Sequence, residues 1–127
     1  MENLVLRDIN STVLVVDDEV ELRWLLADFL SQVGFHVLQA GTADDAIRKL
    51  QNGAVVHIVF SDVNMPETMD GIALARWLRE NRPEIKVVLA SGQVQPDTAE
   101  LYDGGAILKK PFHLHAMASR LLNVCRA

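Results

Sequence analysis

Five short apolar runs recur along the chain, separated by stretches with a different periodicity. Three of the runs are apolar at consecutive positions rather than at every second position, which is typical of strands covered on both faces of a sheet. The predicted strands are Val13–Val16, Val37–Ala40, Val55–Phe60, Val87–Ala90 and Ala106–Leu108. The pattern therefore indicates a central sheet that lies between two layers of other structure.

The stretches between these runs carry apolar residues at helical spacing. The first predicted helix stops at Gly34, and the second begins at Thr42, where Asp45 completes a start similar to a capping box. The third runs over Gly71–Asn81 and the short fourth over Asp97–Asp103. The apolar positions of the first, second and fifth helices are Leu22, Leu25, Leu26, Phe29 and Val33; Ala43, Ala46, Ile47 and Leu50; and Leu114, Met117, Ala118, Leu121, Leu122 and Cys125.

Strands and helices alternate five times, which predicts an α/β fold with right-handed crossovers and a parallel sheet covered by helices on both faces. A chain of 127 residues suits one hydrophobic core. We predict one domain over residues 11–126, preceded by a short lead-in over residues 1–10.

Composition narrows the classes of function. The net charge is −5 and the basic residues are scattered, which argues against direct nucleic-acid binding. No apolar stretch approaches the roughly 18 residues that a membrane span needs, so no membrane partner is expected. The single cysteine, Cys125, cannot form an internal disulfide, which favours a cytoplasmic location.

Polar residues follow four of the predicted strands. Asp17 and Asp18 follow the first strand, Asp62 the third, Ser91 the fourth and Lys110 the fifth. The carboxyl ends of parallel strands meet at one edge of an open sheet, and ligands bind there. We therefore expect these five side chains to lie together.

Such a cluster has a definite chemistry. Asp17, Asp18 and Asp62 repel one another when all are ionised, so one must hold a proton unless a cation binds between them. Mg²⁺ prefers oxygen ligands of this kind and commonly binds phosphate oxygens as well. Lys110 could contact a phosphoryl oxygen, and Ser91 could donate a hydrogen bond to another. Together these groups indicate phosphoryl transfer through an aspartyl phosphate.

The motifs at these positions resemble those of the receiver domains of two-component response regulators, the CheY-like superfamily. They are Leu14–Glu19 (LVVDDE), Asp62–Pro66 (DVNMP), Asp70-Gly71, Ser91-Gly92 and Lys110–Phe112 (KPF). The resemblance covers residues 11–126. It implies a single-domain flavodoxin-like (βα)5 fold, a three-layer sandwich with sheet order 2-1-3-4-5.

The resemblance also implies a role for each acidic residue. Asp62 is the expected phosphoacceptor and a ligand of Mg²⁺. Asp18 is expected to bind the metal directly, and Asp17 is the second acidic group, often acting through water. Asn64 is expected to supply its backbone carbonyl to the metal.

Signalling follows from the same resemblance. A sensor histidine kinase or a phosphotransfer protein is the expected donor, and a downstream protein or effector domain is the expected target. Ser91 is the expected switch hydroxyl, Lys110 the expected phosphoryl contact, and the bond before Pro111 is expected to be cis. These roles imply a signalling switch that promotes only its own phosphotransfer and dephosphorylation, rather than an enzyme.

The sequence departs from the family pattern in three places. The loop over residues 62–71 has one residue more than the usual spacing. The stretch between Ser91 and Lys110 is shorter than in chemotaxis-type members, which predicts an abbreviated fourth helix. Ile107 stands three positions before the lysine, where many members carry a switching Tyr or Phe.

Other interpretations of the same residues remain open at this stage. Asp62 could cap a helix, and Asp17 and Asp18 could merely favour the start of the first helix. A small magnesium-dependent phosphatase with an aspartyl-phosphate intermediate would share the nucleophile, but Asn64 stands where such enzymes need an acid. A flavodoxin-like cofactor binder would need a phosphate-binding loop after the first strand, where this chain has acids. Trp24 lies off the apolar face of the first helix and, if exposed, would suit docking of a kinase.

Overall fold

The computed structural model describes residues 10–65, 69–92 and 106–126. This part of the chain forms five strands and four helices in an alternating order. The strands are β1 (Thr12–Val16), β2 (His36–Ala40), β3 (Ile58–Asp62), β4 (Lys86–Ser91) and β5 (Ala106–Lys109). The helices are α1 (Val20–Val33), α2 (Ala43–Gln51), α3 (Gly71–Asn81) and α4 (Leu114–Arg126). The short helix predicted over residues 97–103 lies outside the described residues.

All five strands are parallel and lie in the order β2-β1-β3-β4-β5. Val13 of β1 pairs with Val37 of β2 on one side and with Ile58 of β3 on the other. This order is the one that the sequence predicts, and the flavodoxin-like α/β fold is confirmed. It makes β1 and β3 neighbours, so Asp17 and Asp62 emerge side by side.

The alternation of side chains along β1 explains why its apolar run is continuous. Val13 and Val15 pack into a core with α1 and α4, whereas Leu14 and Val16 pack into a second core with α2 and α3. All four side chains are fully buried. Each contributes about 1.5–3 kcal/mol of burial free energy, so both faces of the central strand stabilise the fold.

Helix α1 buries most of its predicted face, but Leu25 does not belong to it. Leu25 was predicted on the inner face but is 51% exposed, whereas Ala27 and Leu30 are buried. Leu26 and Ala27 are both buried, so the inner face of the helix is centred beyond Leu25, which turns outward. Trp24, 60% exposed, lies off the inner face as expected.

The ends of the first two helices follow the predicted chemistry. Gly34 ends α1 with φ of 128°, a conformation that favours glycine, and its N–H donates to the carbonyls of Leu30 and Ser31. Thr42 begins α2, and its hydroxyl accepts a hydrogen bond of 3.0 Å from the Asp45 N–H.

The third strand differs from its predicted bounds. The sequence predicts Val55–Phe60, but β3 begins at Ile58, and Val55 is 70% exposed. Pairing decides the difference, because the partner residues in β1 begin at Val13 and those in β4 continue until Ala90, which lies opposite Asp62. The carboxyl end of β3 therefore includes Asp62 itself.

Helix α4, the fifth helix of the sequence prediction, packs its predicted face against the sheet. Met117, Ala118, Leu121 and Leu122 are buried, and Leu114 and Cys125 are half-buried against the same core. None of the helices in the described ranges has the length and apolar character that a bilayer crossing requires.

Candidate functional site

The carboxyl ends of β1 and β3 bring three acidic residues together. Asp17, Asp18 and Asp62 each place a carboxylate oxygen within 4.8 Å of the other two. Asp17 and Asp62 are buried, with 3% and 8% of their surface exposed, while Asp18 is exposed. The cluster therefore has two carboxylates beneath the surface and a third at its open side, an arrangement that a cation can enter.

Asp17 is held by backbone bonds on both sides. Its N–H donates to the Ala40 carbonyl of β2 at 3.1 Å, and its carboxylate Oδ1 accepts from the Glu19 N–H at 2.9 Å. Burial raises the pKa of the Asp17 carboxyl above its usual value of 3.8. The negative charges of Asp62 and Asp18 raise this pKa further, while the Glu19 N–H and the Lys110 ammonium oppose the rise. Ionised Asp17 is thus costly in the folded domain.

Asp62 contacts the ammonium group of Lys110, the basic residue that the sequence predicted at this edge. Lys110 Nζ lies 3.0 Å from Asp62 Oδ1. The Lys110 N–H also donates to the Ser91 carbonyl at 2.8 Å, which fixes the lysine to the end of β4, and the bond before Pro111 is cis. The lysine is therefore held beside Asp62 by its backbone as well as by its charge.

Ser91 ends β4 in a buried position. It is 3% exposed and pairs with Lys109 of β5. The neighbouring pair, Asp62 with Ala90, places β4 directly beside β3. The structure thus delivers a hydroxyl to the same edge as the three carboxylates and the ammonium group.

Asn64 follows Asp62 by two residues, at the same edge of the sheet. Its side chain is exposed, and its N–H lies 3.3 Å from Asp62 Oδ1 in a long hydrogen bond. Its carbonyl as a metal ligand stays a prediction. The expected extra residue falls in a loop whose residues 66–68 lie outside the described ranges.

The chain matches the model of the response regulator receiver domain over residues 13–122. It belongs to the receiver domain family. The match spans most of the chain, so the fold and the site just described lie in one receiver domain of the two-component systems.

Similar proteins include both separate receivers and parts of larger proteins. The domain is 36% identical over 115 residues to a probable chemotaxis protein CheY of Rhizobium etli, covering 86% of this chain and 88% of that protein. It is 37% identical over 114 residues to the sensor kinase CckA of Brucella abortus, covering 87% of this chain but only 12% of the kinase. A response regulator receiver protein of Sinorhizobium medicae shares its structure with a TM-score of 0.84 at 28% identity, covering 93% of this chain and 96% of the other.

Ile107 of the receiver domain packs as an ordinary apolar residue. It is half-buried against a small core formed by Val63, Ala75 and Leu89. Its carbonyl accepts a hydrogen bond of 3.3 Å from Arg120 Nη1. An aliphatic side chain has no hydroxyl and no ring face, so a switch that depends on an aromatic side chain cannot operate at this position.

A small apolar cavity lies beneath the acidic cluster of the receiver domain. It has a volume of about 10 Å³ and is lined by Leu22, Leu26 and Phe112 as well as by Asp17 and Asp62. That volume suffices for one water molecule at most.

Two residues near the site were not assigned a role from the sequence. Gly71 begins α3 against the backbone of Asp62, and a Cβ at Gly71 would lie 2.2 Å from the Asp62 carbonyl oxygen. Arg23 of α1 donates from Nη1 to the Asp17 carbonyl at 2.9 Å. One signal could have indicated Arg23, because long helical side chains point toward the amino end of their helix, where the acidic turn lies.

Proposed function

We propose that this receiver domain accepts a phosphoryl group on Asp62 in the presence of Mg²⁺ and changes conformation to control a protein partner. One observation carries the proposal. Asp62 is buried and contacts Lys110, and its carboxylate lies within 4.8 Å of those of Asp17 and Asp18. A nucleophile, a cation site and a fixed positive charge are the components that phosphoryl transfer requires.

The donor set fits Mg²⁺. Asp17, Asp18 and Asp62 offer hard oxygen ligands, and the Asn64 carbonyl is proposed as a further one. Burial is the main cause of the raised pKa of Asp17, but the negative charges of Asp62 and Asp18 raise it as well, and a cation between the three acids would relieve that repulsion. When bound, Mg²⁺ would neutralise charge on the acids and on the incoming phosphoryl group.

The proposed transfer joins Asp62 to the phosphorus of a phosphohistidine. A carboxylate oxygen of Asp62 forms the new O–P bond, and the N–P bond of the donor breaks. The imidazole nitrogen keeps the electron pair of the broken bond and takes a proton from solvent. No residue of the receiver domain has to supply a proton in this step.

Lys110 and Ser91 are the proposed contacts of the phosphoryl group. Lys110 Nζ already lies 3.0 Å from Asp62 Oδ1, so a small displacement would bring it to a phosphoryl oxygen. Ser91 ends the adjacent strand and could donate its hydroxyl to another oxygen. A dianionic group that binds both residues would favour one conformation of the domain over another. Attack of water on the phosphorus would break the O–P bond again and restore the Asp62 carboxylate with release of inorganic phosphate.

The partners are proposed from the same chemistry. A sensor histidine kinase or a phosphotransfer protein would supply the phosphohistidine, and a separate protein or an effector domain would respond. We also propose that the functional unit is the domain over residues 11–126, with residues 1–10 as a lead-in. A cytoplasmic location stays a prediction.

Incubation with acetyl phosphate and Mg²⁺ tests the proposal. The intact mass should rise by one phosphoryl group in the wild type and in Asp44→Ala, which changes an exposed acid of α2. The rise should be lost in Asp62→Ala and when EDTA removes the metal. A mass gain that survives Asp62→Ala would contradict the assignment of the acceptor. Sustained release of phosphate from small phosphomonoesters would instead favour the phosphatase.

A further inference from the structure

Arg23 connects α1 to the acidic turn and to the neighbouring strand. Its Nη1 donates to the Asp17 carbonyl at 2.9 Å, and its Nε donates to the side-chain Oε1 of Gln39 in β2 at 3.2 Å. Arg23 is half-buried. The guanidinium group is planar, so the two hydrogen bonds fix the Asp17 carbonyl at a set distance from β2.

The carbonyl that Arg23 binds belongs to the peptide unit between Asp17 and Asp18. The N–H of Asp17 is already fixed by the Ala40 carbonyl at 3.1 Å. Peptide planarity means that fixing this carbonyl also fixes the direction in which the chain continues to Asp18. Asp18 is exposed, so its neighbours restrain it little, and its position relative to Asp17 depends on this peptide.

The charge of Arg23 has the opposite effect to its hydrogen bonds. A positive charge near the acidic cluster repels a divalent cation, so charge alone predicts that removing Arg23 would strengthen binding of Mg²⁺. Loss of the orienting hydrogen bonds predicts weaker binding, because a looser turn must be ordered by the metal. The sign of the change therefore separates the two roles.

We infer that Arg23 is a positioning residue of the metal site, which holds the Asp17–Asp18 peptide so that both carboxylates face one cation. The inference rests on the proposed function, since it concerns the affinity of that same acidic cluster for Mg²⁺. It assigns to α1 a part in metal binding through a residue that contacts no ligand itself.

Gly41 offers a second way to disturb the same contact without changing charge. A Cβ at Gly41 would lie 3.2 Å from Arg23 Nη1, so the guanidinium group would have to move by a few tenths of an ångström. Gly41 does not have a positive φ, and alanine is compatible with its backbone. Gly41→Ala therefore keeps the arginine but shifts its donor.

Isothermal titration calorimetry with MgCl₂ on the unphosphorylated domain measures the effect directly. Arg23→Met should weaken Mg²⁺ binding roughly tenfold, as is common when a group that orients metal ligands is lost. Gly41→Ala should weaken it by a smaller factor, because the guanidinium group is shifted rather than removed. Arg23→Lys should fall between Arg23→Met and the wild type, because an ammonium group keeps one hydrogen bond but not the planar pair.

Arg48→Met is the matched control for charge. Arg48 lies on α2, its side chain is 67% exposed, and it pairs with Asp45. Its replacement should leave the affinity unchanged or slightly higher. Urea denaturation of each variant in EDTA would show whether the apo domain is still folded.

The outcomes distinguish this inference from the proposed function. If Arg23→Met binds Mg²⁺ as tightly as the wild type or more tightly, the positioning role is wrong and the metal site stands. If the wild type itself binds no Mg²⁺, the metal site of the proposed function is wrong, and the positioning role falls with it. If Arg23→Met does not fold, Gly41→Ala decides, and an unchanged affinity in that variant would overturn the inference.

Discussion

The two edges of the sheet use polar residues in opposite ways. At the carboxyl edge, the described part of the chain buries four polar residues: Asp17, Ser61, Asp62 and Ser91. At the amino edge, the polar residues near the strand starts are exposed or half-buried: Ser11, Thr12, His36, His57 and Lys86. Both edges are formed by the two ends of the same strands. Because the amino edge has no buried carboxylate among its described residues, the sheet itself does not require one.

The difference indicates that the carboxyl edge lowers the stability of the domain. A buried carboxylate loses its hydration and is costly unless it is paired. At the carboxyl edge, Lys110 contacts Asp62, while Asp17 keeps a raised pKa. At the amino edge, exposed groups form a hydrogen bond to each other, with the Thr12 N–H donating to His57 Nδ1 at 2.9 Å. The unfavourable electrostatics are therefore concentrated at the edge to which we assign the function.

The largest effect is expected where the carboxyl edge is most crowded. Gly71→Ala should lower the free energy of unfolding by about 3 kcal/mol, the upper part of the range for overpacked positions. The new Cβ would lie 2.2 Å from the Asp62 carbonyl oxygen, and backbone rather than a flexible side chain would have to move. Urea denaturation followed by circular dichroism measures the change.

Gly92→Ala is the matched control at the same edge. Among the described residues, a Cβ at Gly92 would meet no atom within 4 Å, so the expected change is within about 0.5 kcal/mol. Equal effects of the two substitutions would show that crowding at Gly71 is not what distinguishes this edge.

A smaller effect of opposite sign is expected at Asp17. Asp17→Asn removes a repelled charge but keeps an oxygen that can accept from the Glu19 N–H. In EDTA at neutral pH it should raise the free energy of unfolding by at least about 1 kcal/mol, the repulsion of two unit charges about 4 Å apart even in water. Asp44→Asn, in the first turn of α2, should instead lower it by about 0.3–1 kcal/mol, because an acid there interacts favourably with the helix dipole.

The gain at Asp17 should depend on pH. Because the pKa of Asp17 is raised in the folded domain, the folded state binds this proton more tightly than the unfolded chain does. The penalty of the ionised group is complete above the folded pKa and disappears as the pH falls below 3.8, where both states are protonated. The difference between wild type and Asp17→Asn should therefore shrink on acidification, and a constant difference would refute the electrostatic cause.

The smallest effect is expected at the amino edge. His57→Ala removes the acceptor of the Thr12 N–H, but His57 is exposed and water can replace the imidazole. The expected loss is about 0.5 kcal/mol, the lower limit for a hydrogen bond that solvent can substitute. If His57→Ala lowered the free energy of unfolding as much as Gly71→Ala does, the two edges would not differ in the way proposed.

The parallel sheet and the composition of the site could be predicted from residue patterns. A run such as Val13–Val16 is buried on both faces, and such runs specify a parallel sheet wherever they alternate with helices. The strand-end positions of Asp17, Asp62, Ser91 and Lys110 follow from that topology alone. The strand order came from the family motifs rather than from periodicity.

The exact face of a helix and the bounds of a strand could not be predicted. Leu25 fits the helical period as well as Leu26 does, and only the position of the sheet decides between them. Val55 is as apolar as its neighbours, but β3 begins at Ile58 because pairing with β1 begins there. Both errors arise because the local residue pattern fits two placements equally well, either of the inner face of the helix or of the first residue of the strand.

For the acidic cluster too, the sequence decided some properties and the tertiary structure decided others. The sequence by itself determined which groups meet at the carboxyl edge, because parallel strands carry whatever follows them to one side of the sheet. Only the tertiary structure decided how those groups interact: the burial that raises the pKa of Asp17 and the 3.0 Å contact between Lys110 and Asp62. These quantities depend on distances between residues far apart in the chain and on the exclusion of water, which no local pattern of residues encodes.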